Sequence, residues 1–409
     1  MAMSPTSIIG LVFALTYVGM AVGGIPGLKT DRSGIALIAV AVLLAAGVLT
    51  ASQAATALDG TTLVVMFGLM ILSAQFAEGG LYDLAAARVV AASPNMLLVL
   101  TVMVAGGLSA LLVNDIVVFA MTPILCVGLR VRKIDPRPYL VALAGAGNAG
   151  SAATLIGNPQ NILIGEMGHL RFWSFVGVCA VPALLGLASV YGAVWVMWRK
   201  ELAAPAPASD FQPQPHDNRQ IGKGLVATLV LMILFATRVP HEVIALAVAA
   251  FLLASRTVHS RHLVAAVDWP LLLLIGCLFV ITGSFAAHLP ALGRSAYEAW
   301  PDGPQSLHLL APGALILSNT IGNVPATILL LKLWPQLSAG TLYGLAILST
   351  LAGNLLIVGS LCNIIVAERA AAHDVRLSFA DFVRAGIPMT IASMALAALW
   401  LGIGGWMRW

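Results

Sequence analysis

Charge is what this chain has least of. Asp, Glu, Lys and Arg make up 9% of its 409 residues, while 60% are apolar. A soluble domain carries about 25% charged residues. So little charge excludes a water-facing globular surface and leaves lipid as the solvent. Cysteine is scarce too. Cys126, Cys179, Cys277 and Cys362 lie singly inside apolar segments. Without a CxxC pair or a Cys/His cluster there is no disulfide framework and no zinc site. Buried, inert thiols are expected instead. The sequence also lacks HExxH, GxSG and paired intramembrane acids, so an intramembrane enzyme is not indicated. The net charge of +4 reflects cytoplasmic loops and implies no nucleic-acid partner.

What the chain does have is apolar length. Several runs reach the roughly 20 residues that a helix needs to cross the hydrocarbon core. The first, Ser7 to Leu28, is too long for a signal-peptide core and is followed by more of the same, so it is expected to be retained. Spanning helices are predicted near 7–28, 34–50, 61–78, 138–165, 172–198, 223–237, 241–255, 268–288, 338–366 and 382–407. Two further stretches, 96–130 and 307–335, are apolar but interrupted midway by Val113-Asn114-Asp115 and Ser318-Asn319-Thr320. Both are read as re-entrant hairpins. Segments 80–93 and 289–300 are predicted as short amphipathic connectors before them. Trp173, Trp195, Trp198, Trp400, Trp406 and Trp409 are expected at the membrane interfaces.

Positive charge sets the orientation. Arg130, Arg132, Lys133 and Arg137 follow the first hairpin, which should therefore open to the cytoplasm. The N-terminus then lies outside and the central linker inside. Arg171, Arg238, Arg294, Lys332 and Arg408 fall outside, and the other 16 of the 21 Lys and Arg residues fall inside. The expected location is the inner membrane, crossed many times.

The segment 201–222 begins ELAAPAPASDFQPQPHDNRQ and should be an extended, disordered linker. It separates residues 1–200 from 223–409, and the two halves resemble each other. At an offset of 209, Ile35-Ala36-Leu37 matches Ile244-Ala245-Leu246. Asp59 matches Asp268, Ser73 matches Thr282 and Phe76 matches Phe285. The offset then drifts to 205, pairing Asn114 with Asn319 and Thr122 with Thr327. At 202 it pairs Gly157 with Gly359, Asn161 with Asn363 and Glu166 with Glu368. Each half holds five spans and one hairpin. Five is odd, so the second half should lie inverted relative to the first, an arrangement characteristic of secondary transporters.

Two polar clusters occupy matching places. The first is Asn114-Asp115 with the stretch from Gly147 to Asn161, which includes Asn148, Ser151, Thr154 and Asn158. The second is Ser318-Asn319-Thr320 and Asn323 with Asn354, Ser360 and Asn363. Gly, Asn, Ser and Pro are poor helix material, and backbone freed at membrane depth is tolerated only where it is buried in protein or lines a cavity. Broken helices offer N–H groups and a positive dipole end to an anion, and unwound carbonyls to a cation. Taken singly, small residues only let helices pack closely; two matched clusters favour a site. Asp115 is the sharpest residue: an acid well inside an apolar run, costly unless it has a task or a partner. A proton-coupling or cation-binding role is the first reading, and a protonated structural acid at the hairpin tip the second. Glu166 and Glu368 sit at helix ends and read as exposed caps.

These residues, in this order, resemble the ion-transporter superfamily: arsenite permeases of the ArsB type, citrate-transporter-like permeases and divalent-anion:sodium symporters. Ser318-Asn319-Thr320 stands as the symporters' SNT signature, and Ile156-Gly157-Asn158-Pro159-Gln160-Asn161 is similar to their Gly-Ser/Thr-Pro-Pro-Asn turn. The resemblance covers almost the whole chain. It implies an all-α polytopic fold of two inverted repeats, with a scaffold and a mobile transport domain moving as an elevator. It implies substrate contacts at Asn114, Asp115, Ser318, Asn319, Thr320, Asn158 and Ser360. It implies sodium or proton sites around Asp115, Asn148, Ser151, Thr154, Asn161, Asn323, Asn354 and Asn363. No other cofactor is implied. A homodimer follows from the symporter relatives, and a soluble ATPase partner would follow if the chain were of the arsenite-pump type.

Two departures matter. The first tip is Val113-Asn114-Asp115, which is not SNT and looks more like the arsenite permeases. The second turn, Gly359-Ser360-Leu361-Cys362-Asn363, lacks the prolines. The expected function is a carrier for a small anion or for a neutral or anionic oxyanion, driven by a proton or sodium gradient. The alternatives are a sodium-coupled dicarboxylate or citrate symporter and, more remotely, a channel. No Lys or Arg lies at either tip, which leans toward small or weakly charged solutes.

Overall fold

A computed structural model describes residues 4–22, 28–202, 215–288, 303–334 and 336–409. Linker residues 203–214 and the expected connector 289–300, with Arg294, lie outside the described residues. In lipid a spanning segment must satisfy its own backbone, and the described residues accordingly form helices. These are α1 (Pro5–Val22), α2 (Arg32–Ala45), α3 (Ala51–Ala57), α4 (Gly60–Glu78), α5 (Leu81–Val90), α6 (Pro94–Leu111), α7 (Asn114–Val131), α8 (Arg137–Ser151), α9 (Pro159–Met167), α10 (Phe172–Met197) and the single turn α11 (Arg199–Leu202). They continue with α12 (Asn218–Leu234), α13 (His241–Leu253), α14 (Ser260–Ala265), α15 (Trp269–His288), α16 (Leu307–Thr320), α17 (Asn323–Leu333), α18 (Ala339–Ala352), α19 (Leu361–Ala371) and α20 (Phe379–Ile403). Five of them, α4, α7, α10, α15 and α20, are long and apolar enough to cross a membrane, and seven shorter apolar helices accompany them. The chain is a multi-pass membrane protein.

The helices start where the sequence supplies caps. Asp59 accepts from Thr62 N at 3.1 Å ahead of α4, and Asp268 accepts from Leu271 N at 3.0 Å ahead of α15. Each acid satisfies one amide that the first turn leaves free. These two caps lie 209 residues apart. The same spacing separates the starts of α2 and α13, of α3 and α14, and of α4 and α15.

Packing partners recur at that spacing, with the halves exchanged. Helices α1, α2 and α3 pack on α15, whereas α12, α13 and α14 pack on α4. Helices α10 and α20 pack on each other.

The interruptions fall at four places. Helix α6 gives way to α7 at residues 112–113, and α16 to α17 at 321–322. The predicted span 138–165 divides into α8 and α9 around 152–158. The predicted span 338–366 divides into α18 and α19 around 353–360. The second hairpin breaks later than the sequence suggested. Helix α16 runs through Ser318-Asn319-Thr320, and the chain turns at Gly322, whose φ of +93° suits glycine. Asn114 and Asn323 thus begin α7 and α17, and their spacing is 209 rather than the 205 that paired Asn114 with Asn319. Helix α7 is itself of spanning length, so the second arm of the first hairpin is not a short half-helix. Trp198 is buried, whereas Trp173, Trp195 and Trp409 are exposed as interfacial residues should be.

Small residues bring backbones into contact, as is usual where helices cannot rely on a hydrophobic drive between them. A Cβ added at Gly150 of α8 would lie 2.2 Å from Gly106 O of α6, while one at Gly107 meets nothing within 4 Å. Gly150→Ala should force α6 and α8 apart and cost about 1–3 kcal/mol. Gly107→Ala should leave stability unchanged. Thermal unfolding of both variants in detergent checks the pair, and equal midpoints would count against the close approach.

Candidate functional site

The two broken helices are closed by the same device. In the first, Asn161 donates through Nδ2 to Ser151 O at 3.1 Å and Thr154 O at 2.9 Å. In the second, Asn363 donates through Nδ2 to Gly353 O at 2.7 Å and Leu356 O at 3.0 Å. Each amide reaches back ten and seven residues, tying the end of one helix to the start of the next and satisfying carbonyls that the break leaves free. Asn158 caps α9, its side chain accepting from Asn161 N at 2.8 Å. Gly157 and Gly359 sit where a Cβ would approach Ser151 O to 2.4 Å and Gly353 O to 2.9 Å. Only glycine fits so close to a carbonyl.

Asn148 joins the two breaks. Its Nδ2 donates to Asn354 Oδ1 at 2.8 Å and Asn363 Oδ1 at 3.0 Å. Its Oδ1 accepts from Ser360 Oγ at 2.9 Å and from Asn114 Nδ2 at 3.4 Å. Ser151 Oγ donates to Asn148 O and accepts from Asn158 Nδ2, both at 2.8 Å. Thr154 Oγ1 donates to Ala110 O at 2.6 Å, and Asn114 N to Gly157 O at 3.0 Å. The first hairpin tip is therefore bonded to the first break, and the first break to the second.

In front of this network lies a cavity of about 510 Å³. Six helix starts meet at it: α2 at Asp31 to Ser33, α7 at Asn114 and Asp115, α9 at Pro159 and Gln160, α15 at Asp268, α17 at Asn323, and α19 at Ser360 and Leu361. Helix N-termini present free N–H groups and a partial positive charge. The ionisable side chains on the wall are Asp31, Asp115, Asp268, Glu368 and Arg32. Arg32 reaches the second tip: a Cβ placed on Gly322 would lie 3.8 Å from its Nη1. Among the described residues its guanidinium forms no ion pair within 4.0 Å.

Of the residues singled out by sequence, Asn114, Asp115, Asn323 and Ser360 line the cavity. Asn148, Ser151, Thr154, Asn158, Asn161, Asn354 and Asn363 lie behind it in the bonded network. Ser318, Asn319 and Thr320 do not reach the wall. Ser318 is buried, Asn319 donates to Leu315 O and Ala352 O, and the exposed Thr320 bonds back to Ile316 O. The SNT triplet is thus the last turn of α16, and the cavity meets Gly322 and Asn323 in its place. Glu166 is not an exposed cap. It is half-buried, with Oε1 2.8 Å from His241 Nδ1.

Sequence reasoning missed Asp31, Arg32 and Asp268 as wall residues. Asp268 carried a signal, its match to Asp59. Arg32 looked like an ordinary loop cation. Asn148→Asp should replace a donor to two amide oxygens by a third acceptor. The resulting repulsion should destabilise the protein by about 1–3 kcal/mol or more, beyond any loss from Gln160→Ala at the cavity edge. Thermal unfolding of both variants tests this.

Comparison with known proteins agrees with the architecture. The family described as Citrate transporter (CitMHS) matches residues 17–341. An uncharacterized transporter of Mycobacterium tuberculosis is 25% identical over 413 residues, covering 93% of this chain and 95% of its own. The inner membrane protein YbiR of Escherichia coli is 31% identical over 287 residues, covering 68% and 73% respectively. Among solved structures, the YdaH transporter of Alcanivorax borkumensis, reported as having an unusual topology, superposes with a TM-score of 0.61 over 98% of both chains at 14% identity, a likeness of fold alone. The match across most of the sequence and the all-helical, many-span fold lead to one assignment: the chain belongs to the citrate transporter family of the ion-transporter superfamily.

Proposed function

We propose that this protein is a secondary active transporter that carries a small carboxylate-type anion across the inner membrane, driven by a cation gradient through alternating access. The observation that carries the reading is the cavity itself, at which α7, α9, α17 and α19 all begin and Arg32 stands at the second tip. Helix starts attract an anion without lysines. A guanidinium with no ion pair within 4.0 Å among the described residues adds the bidentate recognition that a carboxylate suits. The sequence showed no cation at either tip and so leaned toward weakly charged solutes; the approach of Arg32 shifts the balance to a charged anion. The family's description as citrate transporter supports the same class.

Asp115 is the proposed coupling residue. It begins α7 on the cavity wall beside Asn114. An acid at that depth is costly unless it holds a proton or a cation. Asn114 Oδ1 and Asn161 Oδ1 are buried without a partner among the described residues, and such oxygens suit a sodium ion. The recurrence of helix starts at 209 residues, with packing partners exchanged between halves, supports two inverted repeats and an elevator-like movement of the broken helices. The charge rule places the loops before α2 and α15 in the cytoplasm, so the cavity opens inward and the N-terminus lies outside.

Reconstituted into liposomes, the protein should take up labelled citrate or a dicarboxylate in response to a proton or sodium gradient and support counterflow. Asp115→Asn should keep the protein folded yet abolish gradient-driven uptake; full coupled uptake in that variant would sink its role. Arg32→Gln should raise the KM for a carboxylate at least about tenfold, the loss of one charged hydrogen-bonding partner. Uptake of neutral arsenous acid in preference to carboxylates, unaffected by Arg32→Gln, would instead establish the oxyanion reading.

A further inference from the structure

A second cavity, of about 970 Å³, lies at the far end of α9, where the starts of α4, α10 and α13 meet it. Part of its wall matches that of the first across the repeat. Arg32 of the first cavity corresponds to His241 of the second at an offset of 209, and Asp268 corresponds to Asp59 at the same offset. Glu368 corresponds to Glu166 at 202. In each cavity a base opens a helix of the α2/α4/α13/α15 group, and an acid sits on the second half of a broken helix.

The two cavities differ in depth and in pairing. The first reaches Asn114, Asp115, Asn323 and Ser360; the second touches none of them. In the second, base and acid are joined, His241 Nδ1 to Glu166 Oε1 at 2.8 Å, both half-buried, and the Phe235 ring centroid lies 4.4 Å from that of His241. In the first, Arg32 and Glu368 share a wall, and no pair within 4.0 Å joins them.

We infer that the second cavity is the opposite entrance to the same pathway, and that Glu166–His241 and Arg32–Glu368 are its two gates, each joined when the other is apart. This rests on the alternating-access reading. The physical basis is that one geometry, repeated, cannot be shut at both ends while the helix starts are exposed to a cavity. Joining α9 to α13 shuts the second entrance, and moving the broken helices the other way brings α19 to α2. Each gate is a charge-assisted contact, strong when water is excluded and weak when the entrance is wet. Reversing it therefore needs only the entry of water and solute. An anion arriving in the first cavity finds Arg32 free, because Glu368 has let go of it.

The test uses two double-cysteine proteins, Glu166→Cys with His241→Cys and Arg32→Cys with Glu368→Cys. The four native cysteines are buried and can stay. In liposomes with citrate as the probe anion, the first pair should cross-link rapidly and the second slowly. Any change of citrate or ion gradient that speeds one should slow the other several-fold. Two single variants at matched positions, Ser33→Cys and Glu242→Cys, read the same exchange by maleimide labelling without replacing a member of either pair; their accessibilities should move in opposite directions. Labelling or cross-linking that rises and falls together at both ends would overturn the gates. Counterflow measured on the Ser33→Cys and Glu242→Cys proteins, which keep Arg32 and both pairs, separates the two ideas: counterflow without reciprocity removes only the gates, and absent counterflow removes the carrier reading itself.

Discussion

Inside a membrane, backbone groups released by a broken helix have no water to turn to. The rest of this structure depends on how asparagine meets that constraint. Asn161 and Asn363 each bind two carbonyls of their own break. Asn148 then ties the breaks to each other and to the first hairpin tip. An asparagine amide offers two donors and an acceptor without a net charge, so it can close a helix end at membrane depth where Lys or Asp would carry a heavy desolvation cost. With the unwound backbone satisfied from behind, the starts of α9 and α19 can face open space in front.

What faces that space is electrostatically mixed. Helix starts and Arg32 favour an anion, while Asp31, Asp115, Asp268 and Glu368 surround the same volume. A site of one sign would hold its solute too firmly to release it. The wall thus presents both signs to whatever enters, with Asp115 at the first tip and Arg32 beside the second. The tips differ, with Asp115 on one and Gly322-Asn323-Val324 on the other.

Much of the fold was legible because lipid imposes a simple rule. Long apolar runs must be helices, and polar interruptions must be buried or line a cavity. The interruptions at Val113 and between Ala152 and Asn158 lie where Asn, Gly and Ser cluster. The second tip was harder. Ser318-Asn319-Thr320 looks like a break, but Thr320 and Asn319 return their side chains to carbonyls one turn back, which lets α16 continue to Gly322. Whether a polar triplet breaks a helix depends on where its side chains find partners, and sequence does not state that. Nor did it show that Glu166, at a helix end like any exposed cap, meets His241 from 75 residues away.

The sequence by itself determined that the chain is helical, crosses the membrane many times, and carries two related sets of polar breaks, because these follow from composition and periodicity along one dimension. Only the tertiary structure decided that six helix starts share one cavity, that Asn148 bonds both breaks, and that Arg32 stands beside Gly322. Those facts depend on helices 100 to 300 residues apart in sequence meeting side by side. Their meeting is set by close packing of small residues, such as Gly68 on Ala245, and no local pattern records the partner.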